Sequence, residues 1–259
     1  MTRLAVTWWG HASATVELAG ARVATDPLLG RRLLHLRRTS PVPSPAAAEA
    51  DLVLVSHLHH DHLHLPSLRR HGTRVPVVVP RGAPRAVPAL RRLTCIEAAP
   101  GDVLDVAGVR VEVLRAHHDG HRDVRRGRVP GGRGAPALGF RFEHGGRSCW
   151  YPGDTGPLPG LEAVAPVDLA LVPIGGWGPS LGEHHLDPVQ AVAAVAAVGA
   201  RVVVPVHYGT FWPVGLRRVH PRSHRELFVD PPGRFRAAAR EAGLAAEVVV
   251  PAPGERVER

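Results

Sequence analysis

Short apolar runs bounded by turn residues punctuate this chain. "DLVLV" (51–55), "VPVVVP" (75–80), "VDLALVPI" (167–174) and "RVVVPV" (201–206) are rich in Val and Leu and show no polar alternation. A strand of that kind is buried on both faces, which requires a covering layer on each side of its sheet. Other segments read as strands joined by tight turns. "LAVTWW" (4–9) and "SATVEL" (13–18) flank a turn at Gly10, and "ARVATDP" (21–27) follows. Residues 102–119 predict a hairpin turning at Ala107-Gly108, and residues 137–156 another turning at Gly145-Gly146. "GAPRAVPALRRL" (82–93) predicts a short helix. "DPVQAVAAVAAVGA" (187–200) predicts a longer one, with Asp187 as N-cap, Pro188 at the first helical position and Gly199 closing it. "GRFRAAAREAGL" (233–244) and "AEVVVPAPGE" (246–255) predict a last helix and a last strand. Residues 30–50 read as a loop with a short helix, and the Arg- and Gly-rich residues 120–136 as a loop. Two β-rich halves, each covered by helices, give an α/β fold: a four-layer αββα sandwich. No linker or repeat divides the sequence, so residues 1–259 are expected to form a single domain.

The strand ends carry the polar residues. "VSHLHHDHLHL" (55–65) directly follows a buried-type strand. In extended backbone, His57 and His59 point the same way. Asp61 and His62 come after the chain has begun to turn. One segment thus offers two imidazoles to one metal ion and a carboxylate with an imidazole to another. His118, Asp154 and His207 stand at later strand ends, where ligands gather in α/β architectures. His57, His59 and one of the adjacent His117 and His118 make a three-imidazole site. Asp61, His62 and His207 make a second, and Asp154 can bridge the two. The bland alternative is a solvated histidine tract in a chain with 17 histidines.

At 259 residues and 44% hydrophobic, the chain can bury a sizeable core. Its formal charge is +9, and all 32 basic residues are arginine, which excludes Schiff-base and lysine-nucleophile chemistry. The scarcity of Lys, Ile, Asn and Met marks a codon-composition bias, so the arginine content says little about function. Cys95 and Cys149 form no CxxC spacing. The N-terminal residues lack a signal peptide's apolar core, and no apolar run approaches the ~18 residues that span a bilayer. A cytoplasmic location with no transmembrane segment is the expectation, with a homo-oligomer left open.

"HLHHDH" (57–62) resembles the HxHxDH motif of the metallo-β-lactamase superfamily. "TWWGHASATVEL", "ATDPLL", "RAHHD", "YPGDTG", "LVPIGGWGP", "HHLDP" and "VPVHYGTF" extend the resemblance, in order, over about residues 4–212. The set is similar to the branch that holds ascorbate-6-phosphate lactonase and N-acylphosphatidylethanolamine phospholipase D. The resemblance implies an αββα fold and two divalent metal ions, usually zinc, with manganese or iron as alternatives. It favours His118 over His117. It also implies an active-site role for His185 of "HHLDP", a ligand-orienting role for Asp26 and a place near the site for His11. Asp119 stands where the phospholipase-like pattern often has an aromatic residue, and the expected arginine is displaced to Arg122.

The chemistry expected is hydrolysis of an ester, lactone or phosphodiester bond by a metal-bridging hydroxide, on a small anionic or lipid-like substrate. Asp61 and Asp154 would fix the ions and orient the hydroxide. His185 would stabilise an oxyanion or deliver a proton to the leaving group. Arg122, with Arg125 and Arg126, could bind a substrate anion, and Trp177 could form a stacking or apolar wall. A nucleic-acid phosphodiesterase, a non-catalytic metal-binding protein and a di-iron redox protein are the competing readings. No specific nucleic-acid partner is expected.

Overall fold

The computed structural model describes residues 3–122, 134–176 and 182–259. Two seven-stranded sheets carry the fold. The first runs, in spatial order, Arg256–Glu258, Leu4–Gly10, Ser13–Leu18, Ala21–Thr25, Leu52–Leu54, Pro76–Pro80 and Thr94–Ala98. The second runs Glu247–Val248, Ala200–Val206, Val167–Pro173, Arg147–Tyr151, Leu138–His144, Val109–Arg115 and Val103–Val106. Each is antiparallel on the hairpin side and parallel where the apolar runs lie. Both predicted hairpins form in the expected register, with Val106 opposite Val109 and His144 opposite Arg147.

The sheets pack face to face. One buried cluster takes Leu4, Val6, Val16, Leu52 and Leu54 from the first sheet and Val111, Phe140, Phe142, Leu169 and Val204 from the second. The apolar runs also bury their outer faces. Val53, Val77 and Val79 pack under Leu58, Leu63, Leu68 and Leu90. Ala170, Val172 and Val203 pack under the helices Pro188–Ala197 and Pro231–Glu241 through Val192, Val195 and Phe235. The result is the four-layer αββα sandwich. The longer helix starts as read: Asp187 accepts from the backbone N–H of Val189 and Gln190, and Gln190 Oε1 accepts from the Asp187 N–H at 3.1 Å.

Several elements differ from the sequence reading. Residues 82–93 form two short turns, Ala83–Ala86 and Pro88–Arg92. Pro88 supplies no N–H and holds Val87 at φ −128°, outside the helical range. Residues 30–50 contain an antiparallel pair, Arg32–Leu33 with Leu36–Arg38, as well as the turn Pro45–Ala48. Leu36–Arg38 also pairs with Phe211–Pro213 in a small third sheet. Apolar patterning does not build this pair. The buried Arg38 guanidinium does, donating to the carbonyls of Trp9, Leu28 and Gly30. The last strand shrinks to Glu247–Val248, and two unforeseen edge strands, Thr94–Ala98 and Arg256–Glu258, close the ends of the first sheet. No helix among the described residues is long and apolar enough to cross a membrane.

Candidate metal centre

The parallel strands deliver polar residues to one rim. Asp26 follows Ala21–Thr25, Ser56 and His57 follow Leu52–Leu54, Asp154 follows Arg147–Tyr151, and His207 follows Ala200–Val206. After His57 and His59 the chain turns, and the N–H groups of His62 and Leu63 bond back to the His59 carbonyl. That turn aims Asp61 and His62 beside the first two histidines instead of past them. At "YPGD" the backbone of Gly153 presses on Ser56. A Cβ there would stand 2.5 Å from the Ser56 Cβ, and its φ of +64° is left-handed. Glycine thereby lets Asp154 approach from the opposite sheet.

The side chains gather into two groups. In the first, His57 Nε2 lies 2.9 Å from His59 Nδ1, and His118 Nε2 lies 3.2 Å from the same atom. In the second, Asp61, His62 and His207 converge with His11. His62 Nε2 is 3.3 Å from His207 Nε2 and 3.7 Å from Asp61 Oδ2. Asp154 stands between the groups. Its Oδ2 is 3.0 Å from His207 Nε2, 3.3 Å from His62 Nε2 and 3.6 Å from His185 Nε2. Its carboxylate also clusters with His118.

The far sides of the imidazoles are tied down. His57 Nδ1 meets the Ser56 hydroxyl at 2.9 Å, His62 Nδ1 the Asp26 carboxylate at 2.6 Å, and His118 Nδ1 the His184 carbonyl at 3.0 Å. His207 Nδ1 donates to the Gly175 carbonyl at 2.6 Å. A donated Nδ1–H leaves the Nε2 lone pair facing the cluster, the tautomer a metal ligand needs. Asp26 is itself fully buried and accepts from the Ser56 N–H and hydroxyl and from the Tyr151 hydroxyl. His11, Asp26 and His207 all have left-handed backbone, at φ +54°, +34° and +63°. Strain of this kind collects where surrounding structure fixes a functional geometry.

These residues fit metal coordination. Tetrahedral zinc with Zn–N bonds of about 2.0–2.1 Å holds its ligand nitrogens roughly 3.3 Å apart, close to the spacing in the first triad. Burial pushes His57 and His59 down and His118 down to about 4, so all three imidazoles favour the neutral form. Neutral rings with lone pairs converging at these distances repel one another unless a cation lies between. Asp154 Oδ1 is buried with no hydrogen-bond partner among the described residues. In the second group burial opposes charge on His11, Asp61 and His62, and likewise on Asp154. Yet the His207 and His62 rings hold the Asp154 carboxyl well below its usual range, and His62 and His11 do the same for Asp61. The carboxylates of Asp154, Asp61 and Asp26 in turn outweigh burial and hold His62 well above its ordinary value.

All seven ligand candidates therefore meet. His118, half-buried, joins the triad. The exposed His117 turns away, its ring 5.1 Å from that of His184 and its N–H on the Thr155 hydroxyl. His185 sits at the rim, its ring 4.9 Å from His118. Arg122 lies elsewhere: its guanidinium donates to the carbonyls of Leu58 and Leu63, at 2.8 and 2.7 Å, and so braces the histidine loop from behind. Trp177, Arg125 and Arg126 lie outside the described residues. His11 is closer to the chemistry than sequence proximity suggests, its Nε2 3.0 Å from Asp61 Oδ2. Ser56, Tyr151 and the Gly175 carbonyl carry no sequence signal of their own; each is a single polar group whose partner is distant in the chain.

An αββα sandwich with paired imidazole–carboxylate clusters on the rim between its sheets defines a class of metal-binding proteins. The chain belongs to the beta-lactamase superfamily: the model of the beta-lactamase superfamily domain matches residues 21–208. A metal-dependent hydrolase of Nitratidesulfovibrio vulgaris is 31% identical over 80% of this chain and 80% of its own. An N-acyl-phosphatidylethanolamine-hydrolysing phospholipase D of Caenorhabditis elegans is 29% identical over 88% of this chain and 70% of its own. Among solved structures, a metallo hydrolase of the archaeon Ignicoccus hospitalis superposes with a TM-score of 0.73 at 25% identity, covering 100% of this chain and 99% of that one.

Proposed function

We propose that this chain is a binuclear metal-dependent hydrolase acting on an ester, lactone or phosphodiester bond. The observation that carries the reading is the Asp154 carboxylate, with one oxygen within 3.3 Å of both His62 and His207 and the other buried and unpaired. In this reading His57, His59 and His118 would hold one ion and Asp61, His62 and His207 the other, with Asp154 available to both. Zinc suits the imidazole-rich set. When bound, the two ions supply Lewis acidity and lower the pKa of a water toward neutrality.

The chain's own groups have separate tasks. Asp61, held by His11, and Asp154 orient the water. His185 Nε2, 3.6 Å from Asp154, carries the proton that the leaving group takes up. Asp26, Ser56 and the Gly175 and His184 carbonyls fix the ligand rings. A phosphodiester substrate is the variant favoured by similarity to the nematode phospholipase D. The core shared by both sheets supports reading residues 1–259 as one domain.

The test is a panel of lactones, aryl esters and phosphodiesters offered to metal-loaded and chelator-stripped protein and to His185→Gln. The reading expects cleavage of at least one class only when metal is present. It expects His185→Gln to lose roughly 10²- to 10⁴-fold in kcat with metal content intact. A metal-replete wild type that cleaves nothing would make this a metal-binding protein without hydrolytic activity.

A further inference from the structure

Beside the metal centre, on the His207 side, lies a cavity of about 480 Å³. His11 and His207 belong to both its lining and the second ligand group, so the cavity adjoins that group. Its other walls are mostly apolar, among them Trp212, Leu216, Leu227 and Phe228, with His220 and Ser223 as polar members. Trp212 and Phe228 meet edge to face at 5.6 Å, and the His224 ring stacks on Phe228 at 4.8 Å. These aromatic contacts tie the segment 216–229 to the small sheet and shape the pocket wall.

Among the described residues the lining contains no Asp, Glu or Arg, in a chain where 32 residues are Arg. A charged group placed deep in such a wall would lose its hydration without gaining a partner. A neutral, largely apolar group suits this wall best. Volumes of this size are typical of sites for whole small molecules.

We propose that this cavity binds an acyl or aryl group of the substrate, against the wall that Trp212 and Phe228 form together, with the polar end of the substrate toward His207. The assignment rests on the hydrolase reading above and narrows it to amphiphilic substrates: a polar head at the ions and a medium-length chain or ring system in the pocket.

The test is calorimetric titration with butanoate, hexanoate, octanoate, decanoate and dodecanoate, with metal content measured on the same samples. Affinity is expected to rise about fourfold for each added methylene until the pocket is full, and then to level off. Leu227→Arg, and independently Leu216→Asp at the more exposed rim, should flatten the series while leaving metal content unchanged. The per-methylene gain should survive chelation, because the pocket and not the ions supplies it. Protein that takes up no metal even when zinc is supplied, yet keeps this gain, counts against the hydrolase reading and supports the pocket. A flat wild-type series, or a gain untouched by either variant, overturns the proposal.

Discussion

The Asp26 carboxylate lies 2.6 Å from His62 Nδ1, held there from a left-handed backbone position at φ +34°. His62 Nε2 in turn faces Asp154 and His207 at 3.3 Å. The orientation of one imidazole is thus set from the strand neighbouring its own, and its charge by carboxylates on both sides. Asp26→Asn keeps the shape and tolerates the backbone, because Asn also adopts left-handed φ. It removes the charge that strengthens the ring as a ligand. Affinity for one ion is expected to fall about tenfold to a hundredfold, read by chelator competition. Unchanged affinity would assign Asp26 to packing alone.

Gly153 is the contact point between the two halves of the site. A Cβ would stand 2.5 Å from the Ser56 Cβ and 2.9 Å from the Leu138 carbonyl, in a backbone that disfavours side chains. Gly153→Ala should destabilise the fold by about 2 kcal/mol or more in urea denaturation and weaken metal retention. A stable variant with full metal content would mean that the turn can shift without moving Asp154.

Asp187 offers a control close in sequence to His185. It caps the helix Pro188–Ala197 through two N–H groups at 2.8 Å. Asp187→Ala should cost about 1 kcal/mol of stability and leave metal stoichiometry unchanged. Lost metal binding would show that the cap also positions the "HHLDP" segment against Asp154.

Much of this fold is written locally. Buried-type strands, the two Gly-turned hairpins and the Asp187-Pro188 helix start each depend on neighbours in sequence. The ligand set is legible for the same reason, since His57, Asp154 and His207 each follow an apolar strand. Other features depend on distant partners. The hairpin at 32–38 exists because Arg38 reaches the carbonyls of Trp9, Leu28 and Gly30. The edge strand Arg256–Glu258 has one apolar residue and forms by pairing with Leu4–Gly10. The apolar cavity draws on residues from His11 to Phe228, so no window of sequence contains it. Arg122, expected at a substrate anion, is bound to loop carbonyls, a role that leaves no trace in residue type.

His71 gives a pH dependence away from the metal centre. Only 7% exposed, its imidazole is pushed by burial down to about 4. Because the folded value lies below the unfolded value of about 6.5, the stabilisation is complete above pH 6.5 and lost as pH falls toward 4. At pH 5 the loss amounts to about 2 kcal/mol. Chelator-stripped wild type should therefore lose about that much more stability between pH 7 and pH 5 than His71→Gln, in paired urea titrations. Parallel losses in the two proteins would remove His71 from the acid response.

The central claim is that His57, His59 and His118 hold one ion while Asp61, His62 and His207 hold a second, with Asp154 shared. The most direct measurement is metal stoichiometry by mass spectrometry on purified wild type, His118→Ala and His207→Ala. The account predicts two ions per chain in the wild type and about one in each variant. A wild type without metal, or variants that both retain two ions, would contradict it.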